Sequence, residues 1–159
     1  MILRPGAFFE GFYAALETIR HEGVVADSVA PEAKVPMIAP SDVAAVAAAA
    51  LRERNWTGAV VRELLGPRDL TYTEAAAAIG EALGQPDLQY VQLPDEELVA
   101  ILTGAAGFSP DFAALFVEFN QALSEGRLHS LEGRNESNTT STEFEEFATE
   151  LAHAYAVTA

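Results

Sequence analysis

The stretch that decides the fold is the opening one, "MILRPGAFFEGFY", residues 1–13. Ile2-Leu3-Arg4-Pro5-Gly6 has the make-up of a buried strand that turns out of a sheet at a glycine. Phe9, Phe12, Tyr13, Leu16 and Ile19 then recur at helical spacing. That spacing predicts a helix over residues 7–22, closed by Gly23. A strand must hand its N–H and C=O groups to neighbours. Only Met1 precedes Ile2, so the partners of this strand have to come from later in the chain or from outside it.

Working outward, residues 24–34 carry no period and read as loop. Lys34 to Ile38 is a short extended piece, kept to an edge or an irregular strand by Pro36. Ser41 and Asp42 predict a capped helix over 42–54, with Val43, Val46, Ala47, Ala50 and Leu51 as its buried stripe. Gly58 to Leu65 reads as a buried strand. Thr71-Tyr72-Thr73-Glu74 is a capping box that starts a helix running to Leu83. Leu88 to Leu93 alternates in the manner of a strand.

Beyond residue 93 the pattern is helical. Pro94-Asp95 opens one helix that ends near Gly104. Ser109-Pro110 opens another, with Phe112, Leu115, Phe116, Phe119 and Leu123 along one face and a stop at Gly126. Residues 130–141 form a polar loop. Thr140 and Glu143 offer a second capping box before a last helix carrying Phe144, Phe147, Ala148, Leu151 and Tyr155. The fold class is therefore α/β, one domain over 1–159. Strands and helices alternate over 1–93, in three or four short and partly parallel strands, and 94–159 is mainly helical.

Composition narrows the function. The net charge is -15, from 24 acidic against 9 basic residues, and Lys34 is the only lysine. Such a field repels nucleic acid and anionic lipid. There is no cysteine, which excludes disulfides, thiolate metal sites and a cysteine nucleophile. No secretion signal is evident and the longest apolar run, Val43 to Leu51, falls far short of the roughly 20 residues of a membrane span, so a cytoplasmic location is expected. The acceptor-like triplets at Asn135 and Asn138 read as chance matches in a polar loop. His21, His129 and His153 are too far apart in sequence for a metal pair on one helix. The acidic runs Asp95-Glu96-Glu97 and Glu145-Glu146 sit at helix starts, where they suit the dipole. No serine lies in a Gly-x-Ser-x-Gly elbow. No catalytic residue is assigned.

Four segments, in order, resemble the NmrA-like proteins, atypical members of the short-chain dehydrogenase/reductase superfamily. They are "ILRPGAFFEGF", "IAPSDVAAVAAAAL", "ELLGPRDLTYTEAAAAIGEALG" and "NTTSTEFEEFATELAHAY". The resemblance implies a partial Rossmann-like sheet and the C-terminal, substrate-side half of such a protein. The half that would carry a glycine-rich phosphate turn is absent. Gly104-Ala105-Ala106-Gly107 is no substitute, since it lies between two helices with Pro110 in the third glycine's place. The superfamily's Tyr-x-x-x-Lys pair is also absent. Tyr13, Tyr72, Tyr90 and Tyr155 are followed four residues on by Glu17, Ala76, Pro94 and Ala159.

The resemblance places the turn after the first strand beside a nicotinamide and a substrate. It implies Pro5, Gly6 and Ala7 as cofactor-side residues and Phe8, Phe9 and Tyr13 as substrate-side residues. Phe9 and Tyr13 share a helical stripe, which equally suits a core. NAD(P) is implied by the family only, and none is expected to bind tightly to this chain alone. The implied function is the substrate-binding portion of an NAD(P)H-dependent reductase, not competent by itself. The alternative is a nucleotide-sensing or protein-interaction module of the regulatory kind. The implied partner is a second copy of the chain or a missing N-terminal Rossmann half.

Overall fold

The computed structural model describes residues 1–157 and runs the opening stretch between two later strands. Strand β1 (Ile2–Pro5) pairs in parallel with β5 (Val61–Leu64), Ile2 opposite Val61 and Arg4 opposite Glu63. At Gly6 the chain changes partner. Strand β2 (Ala7–Phe8) pairs in parallel with β4 (Val35–Ile38), whose start pairs antiparallel with β6 (Asp69–Leu70). Farther along, β3 (Val24–Asp27) pairs in parallel with β7 (Gln89–Gln92). The described fold is α/β, with these short strands and six α-helices.

The opening stretch is less helical than its apolar spacing predicts. Residues 7–8 are strand, Phe9–Ala15 is a 3-10 helix, and the α-helix proper, α1, is only Leu16–Glu22. Residues 24–27, read as loop, are strand β3. Its partner lies some sixty residues on, and four residues carry too few alternations to reveal a pairing at that distance. Helices α3 (Tyr72–Leu83) and α5 (Pro110–Ser124) form as their caps predict, and α4 (Asp95–Gly104) starts after Pro94 with no side-chain cap. Thr71 and Glu74 make both bonds of the capping box, and Ser109 Oγ takes the Phe112 N–H. Thr140, however, does not cap the last helix, α6 (Phe144–Val157). Its hydroxyl and N–H both reach the Leu65 carbonyl, and the Glu146 carboxylate takes the Glu143 N–H instead.

Two apolar stripes do not lie where the sequence puts them. Helix α2 (Pro40–Glu53) has no fully buried residue, and Leu51 is 70% exposed. On α5, Ala113, Val117, Asn120 and Leu123 face inward, while Phe112, Leu115 and Phe119 are exposed. Helical spacing identifies a face but not which face meets the core.

The core gathers Phe9, Phe12, Ile19, Val25, Met37, Leu70 and Ile79 with Phe144, Phe147 and Leu151 of α6. Phe9 meets Phe144 edge-on at 5.1 Å, and Phe12 meets Phe144 and Tyr72 at 5.3 Å each. A buried polar knot joins α5 to the end of β3. Asn120 Nδ2 donates to Asp27 Oδ1 at 2.6 Å and to Ser28 Oγ at 3.1 Å, and the Tyr90 hydroxyl donates to the Asp27 and Val29 carbonyls. Ser124 Oγ bonds the Asn120 carbonyl and takes the Ala30 N–H. Among the described residues, no helix is long and apolar enough to cross a membrane.

Burial pushes the Asp27 carboxyl above the usual carboxylate range, against the pull of its bonds from Ser28 and Asn120. A raised acid withdraws stability as pH climbs through its folded value, and costs nothing below its unfolded value. Asp27→Asn keeps an acceptor for Ser28 and Asn120 and removes the charge. It is expected to raise the melting temperature at pH 7 and to leave it unchanged at pH 3, as read by calorimetric scans at both values.

Candidate functional site

A cleft of about 610 Å³ opens at the carboxyl end of β1. Its floor is Arg4, Pro5, Gly6, Ala7 and Phe8, with Pro36 of β4 beside them. One wall is Phe119 and Leu123 of α5. The opposite wall is the segment 127–131, closed at its base by Glu63 and Leu65. Ligands in sheets with parallel strands bind outside the strands' carboxyl ends, and this cleft has that position.

The floor exists because two glycines let three backbones cross. A Cβ on Gly6 would lie 2.3 Å from the Pro36 carbonyl oxygen, and one on Gly66 would lie 2.2 Å from that of Met37. Gly6 N–H bonds the Leu64 carbonyl and Gly66 N–H bonds the Met37 carbonyl. The close approach that Gly6 permits is thus to β4. Pro36, read from sequence as a mark of an edge or irregular strand, lies within this crossing.

Of the six residues singled out from sequence, the structure brings four together: Pro5, Gly6, Ala7 and Phe8 line the cleft, with Phe8 47% exposed toward it. Phe9 is 1% exposed and packs on Phe144 and Phe147 in the core. Tyr13 stands off the cleft lining, 36% exposed, with its ring edge against Phe147 at 5.4 Å. Partial burial, with Glu150 and Glu10 near it, pushes the Tyr13 hydroxyl above the ordinary tyrosine value.

The sequence alone does not single out Glu63, Arg4, Phe119 or the segment 127–131. Glu63 is 8% exposed and pairs across the strands with Arg4. It accepts from Ser130 Oγ, from Leu131 N–H at 3.0 Å and from Glu132 N–H at 3.3 Å. The Ser130 hydroxyl and then the Leu131 N–H hold its carboxyl below the usual range, with Arg4 adding a smaller pull. The one available signal was a glutamate inside the predicted strand "GAVVRELL", where burial demands partners.

Chemically the cleft is apolar with a polar base. It can receive a flat apolar molecule of modest size and offer it donors from Arg4, Arg127 and His129. It contains no Tyr-Lys pair, and among the described residues no group of three acidic or histidine side chains could hold a metal. The starts of α3 and α5 are occupied by Glu74 with Thr71 and by Ser109, α4 begins with three acids, and α6 with Glu145 and Glu146. A phosphate needs such N–H groups free.

No family model matches the sequence. The chain is 32% identical over 134 residues to agroclavine dehydrogenase of Claviceps fusiformis, an alignment covering 79% of this chain and 43% of that protein. It superposes on the NADPH-dependent quinone oxidoreductase of Escherichia coli, solved with NADPH, at a TM-score of 0.73 and 23% identity, covering 93% of this chain and 52% of that one. It also superposes on NmrA, a negative transcriptional regulator in complex with NADP, at a TM-score of 0.61 and 16% identity, covering 96% and 52%. The chain thus spans about half the length of the proteins it matches. Its fold is that of about half of an NAD(P)-dependent reductase or NmrA-like protein.

Gly6→Ala drives a methyl group into the Pro36 carbonyl, a backbone atom that cannot swing away. It is expected to lower stability by about 1–3 kcal/mol in urea denaturation. A loss below about 0.5 kcal/mol, the range of a neutral surface change, would contradict the crossing described above.

Proposed function

We propose that this chain is the C-terminal, substrate-side portion of an NAD(P)H-dependent reductase of the NmrA-like kind. The observation that carries the reading is the cleft itself. It sits at the carboxyl end of the parallel pair β1–β5 and is walled by apolar side chains, while the starts of α3 and α5 are taken by their own caps. Such a pocket suits one side of a two-part site.

In this reading Pro5, Gly6 and Ala7 form the surface against which the nicotinamide end of a nucleotide lies, the nucleotide being held by a segment outside these residues. Phe8 and Phe119 face the substrate, and Arg4 and His129 supply hydrogen bonds to its polar end. Phe9 and Tyr13 act at one remove, as packing that fixes the chain behind Phe8. The outer edge of β1 and the half-covered face of α2 are where the nucleotide-holding segment, or failing it a second copy, would dock. The reductase half supports the substrate side only, and the chain by itself does not turn over substrate.

The test is calorimetric titration with NADPH and NADH, first of the 159-residue chain, then of the same chain fused behind a glycine-rich Rossmann segment from a reductase relative. The chain alone is expected to bind either nucleotide more weakly than about 1 mM. The fusion is expected to bind NADPH or NADH at least a hundredfold more tightly and to acquire reductase activity on an apolar carbonyl or quinone. Tight binding by the chain alone would overturn the proposal. A fusion that binds nucleotide and reduces no such acceptor would favour the sensing role instead.

A further inference from the structure

We propose that Glu63 is a latch, a positioning residue that holds residues 128–132 closed as a strap across the cleft, and that ligand enters when the latch lets go. The latch is a statement about the chain's own structure. The role in ligand entry rests on the reading of the cleft given above.

The strap is bounded by Gly126 and Gly133, both in the left-handed region at φ 68° and 69°. Neither has a neighbour within 4 Å of where a Cβ would stand. Between them the strap has almost no packing to hold it. Leu131 is 75% exposed and Leu128 is 41% exposed. Leu128 N–H keeps a long 3.4 Å bond to the Ala122 carbonyl and the His129 ring stays on Gly126, both within the α5 side of the turn. Every hydrogen bond from the strap to the sheet ends on the Glu63 carboxylate: Ser130 Oγ, Leu131 N–H and Glu132 N–H.

Past Gly133 the chain is tied down independently. Arg134 bonds the Gly66 carbonyl and Asp69, and Asn138 Nδ2 bonds the Gly133 carbonyl. The segment therefore has a firm anchor on its far side, a helix on its near side, and one carboxylate between. That carboxylate sits on β5, whose residue 63 stands opposite Arg4 in the register with β1. Releasing three bonds to one side chain frees the wall of the cleft without unpairing any strand.

A glutamine at position 63 has the same size but only one acceptor oxygen. Placing its NH2 at either oxygen position sets it against the Leu131 or the Glu132 N–H, so one strap amide loses its partner. Glu63→Gln is expected to speed hydrogen exchange at the Leu131 and Glu132 amides at least tenfold, with the α3 amides of Ala76 and Ile79 unchanged. Ser130→Ala, which removes the hydroxyl that donates to Glu63 and leaves the carboxylate in place, is expected to speed the same two amides by about threefold and so keeps the test intact should Glu63→Gln fold poorly. Stopped-flow mixing with anilinonaphthalene sulfonate reads access to the cleft, and the association rate is expected to rise severalfold in both variants.

Unchanged exchange at residues 131 and 132, or a rise shared equally by Ala76 and Ile79, overturns the latch. Faster local exchange with an unchanged association rate overturns the gate. A fluorophore that fails to bind any of the three proteins removes the cleft reading and the gate together, while exchange still decides the latch.

Discussion

Everything described depends on a backbone crossing that only glycine permits. Residues 2–8 change partner midway, from β5 to β4, and they can do so because Gly6 and Gly66 have no side chain to keep Pro36 and Met37 away. The crossing brings the ends of β1 and β5 together with the middle of β4. The floor of the cleft is the surface left on top of it. Phe8, the last residue of β2, lines this floor, and Phe9, the first of the 3-10 helix, packs into the core. Without the crossing, the aromatic cluster around Phe144 and the cleft would not lie on opposite sides of one short segment.

Much of this was legible in the sequence, for reasons that are local. Thr71 with Glu74, and Ser109 with Pro110, announce helix starts because a cap is a contact between residues a few positions apart. Pro5, Gly6, Ala7 and Phe8 share one cleft lining because they are consecutive. The alternation of strands and helices up to residue 93 gave the α/β class. What failed was long-range. Strand β3 finds its partner only at β7. Thr140 leaves its own helix to bond Leu65. The stripe Phe112, Leu115, Phe119 looks like a core face, yet the buried side of α5 is the one with Asn120, because Asp27 and Ser28 offer Asn120 partners. Glu63 and the segment it holds are separated by 67 residues at the nearest bond, and no pattern within either predicts the other.

Charge and apolar surface pull in opposite directions here. A net charge of -15 keeps such a chain dispersed, while the half-covered α2 and the outward aromatic side of α5 invite contact. The two are reconciled if, as proposed, the apolar faces belong next to a nucleotide-holding segment. The chain's similarity to reductases about twice as long is in keeping with that proposal.

The most direct measurement is an amide NMR titration of the labelled chain with reduced nicotinamide mononucleotide, a ligand with the ring but without the dinucleotide's second half. The account predicts weak, saturable shifts centred on the Gly6, Ala7 and Phe8 amides and spreading to Ser130 and Leu131. Shifts centred on the helix starts at Thr71 or Ser109, or a titration that leaves residues 6–8 untouched, would contradict it.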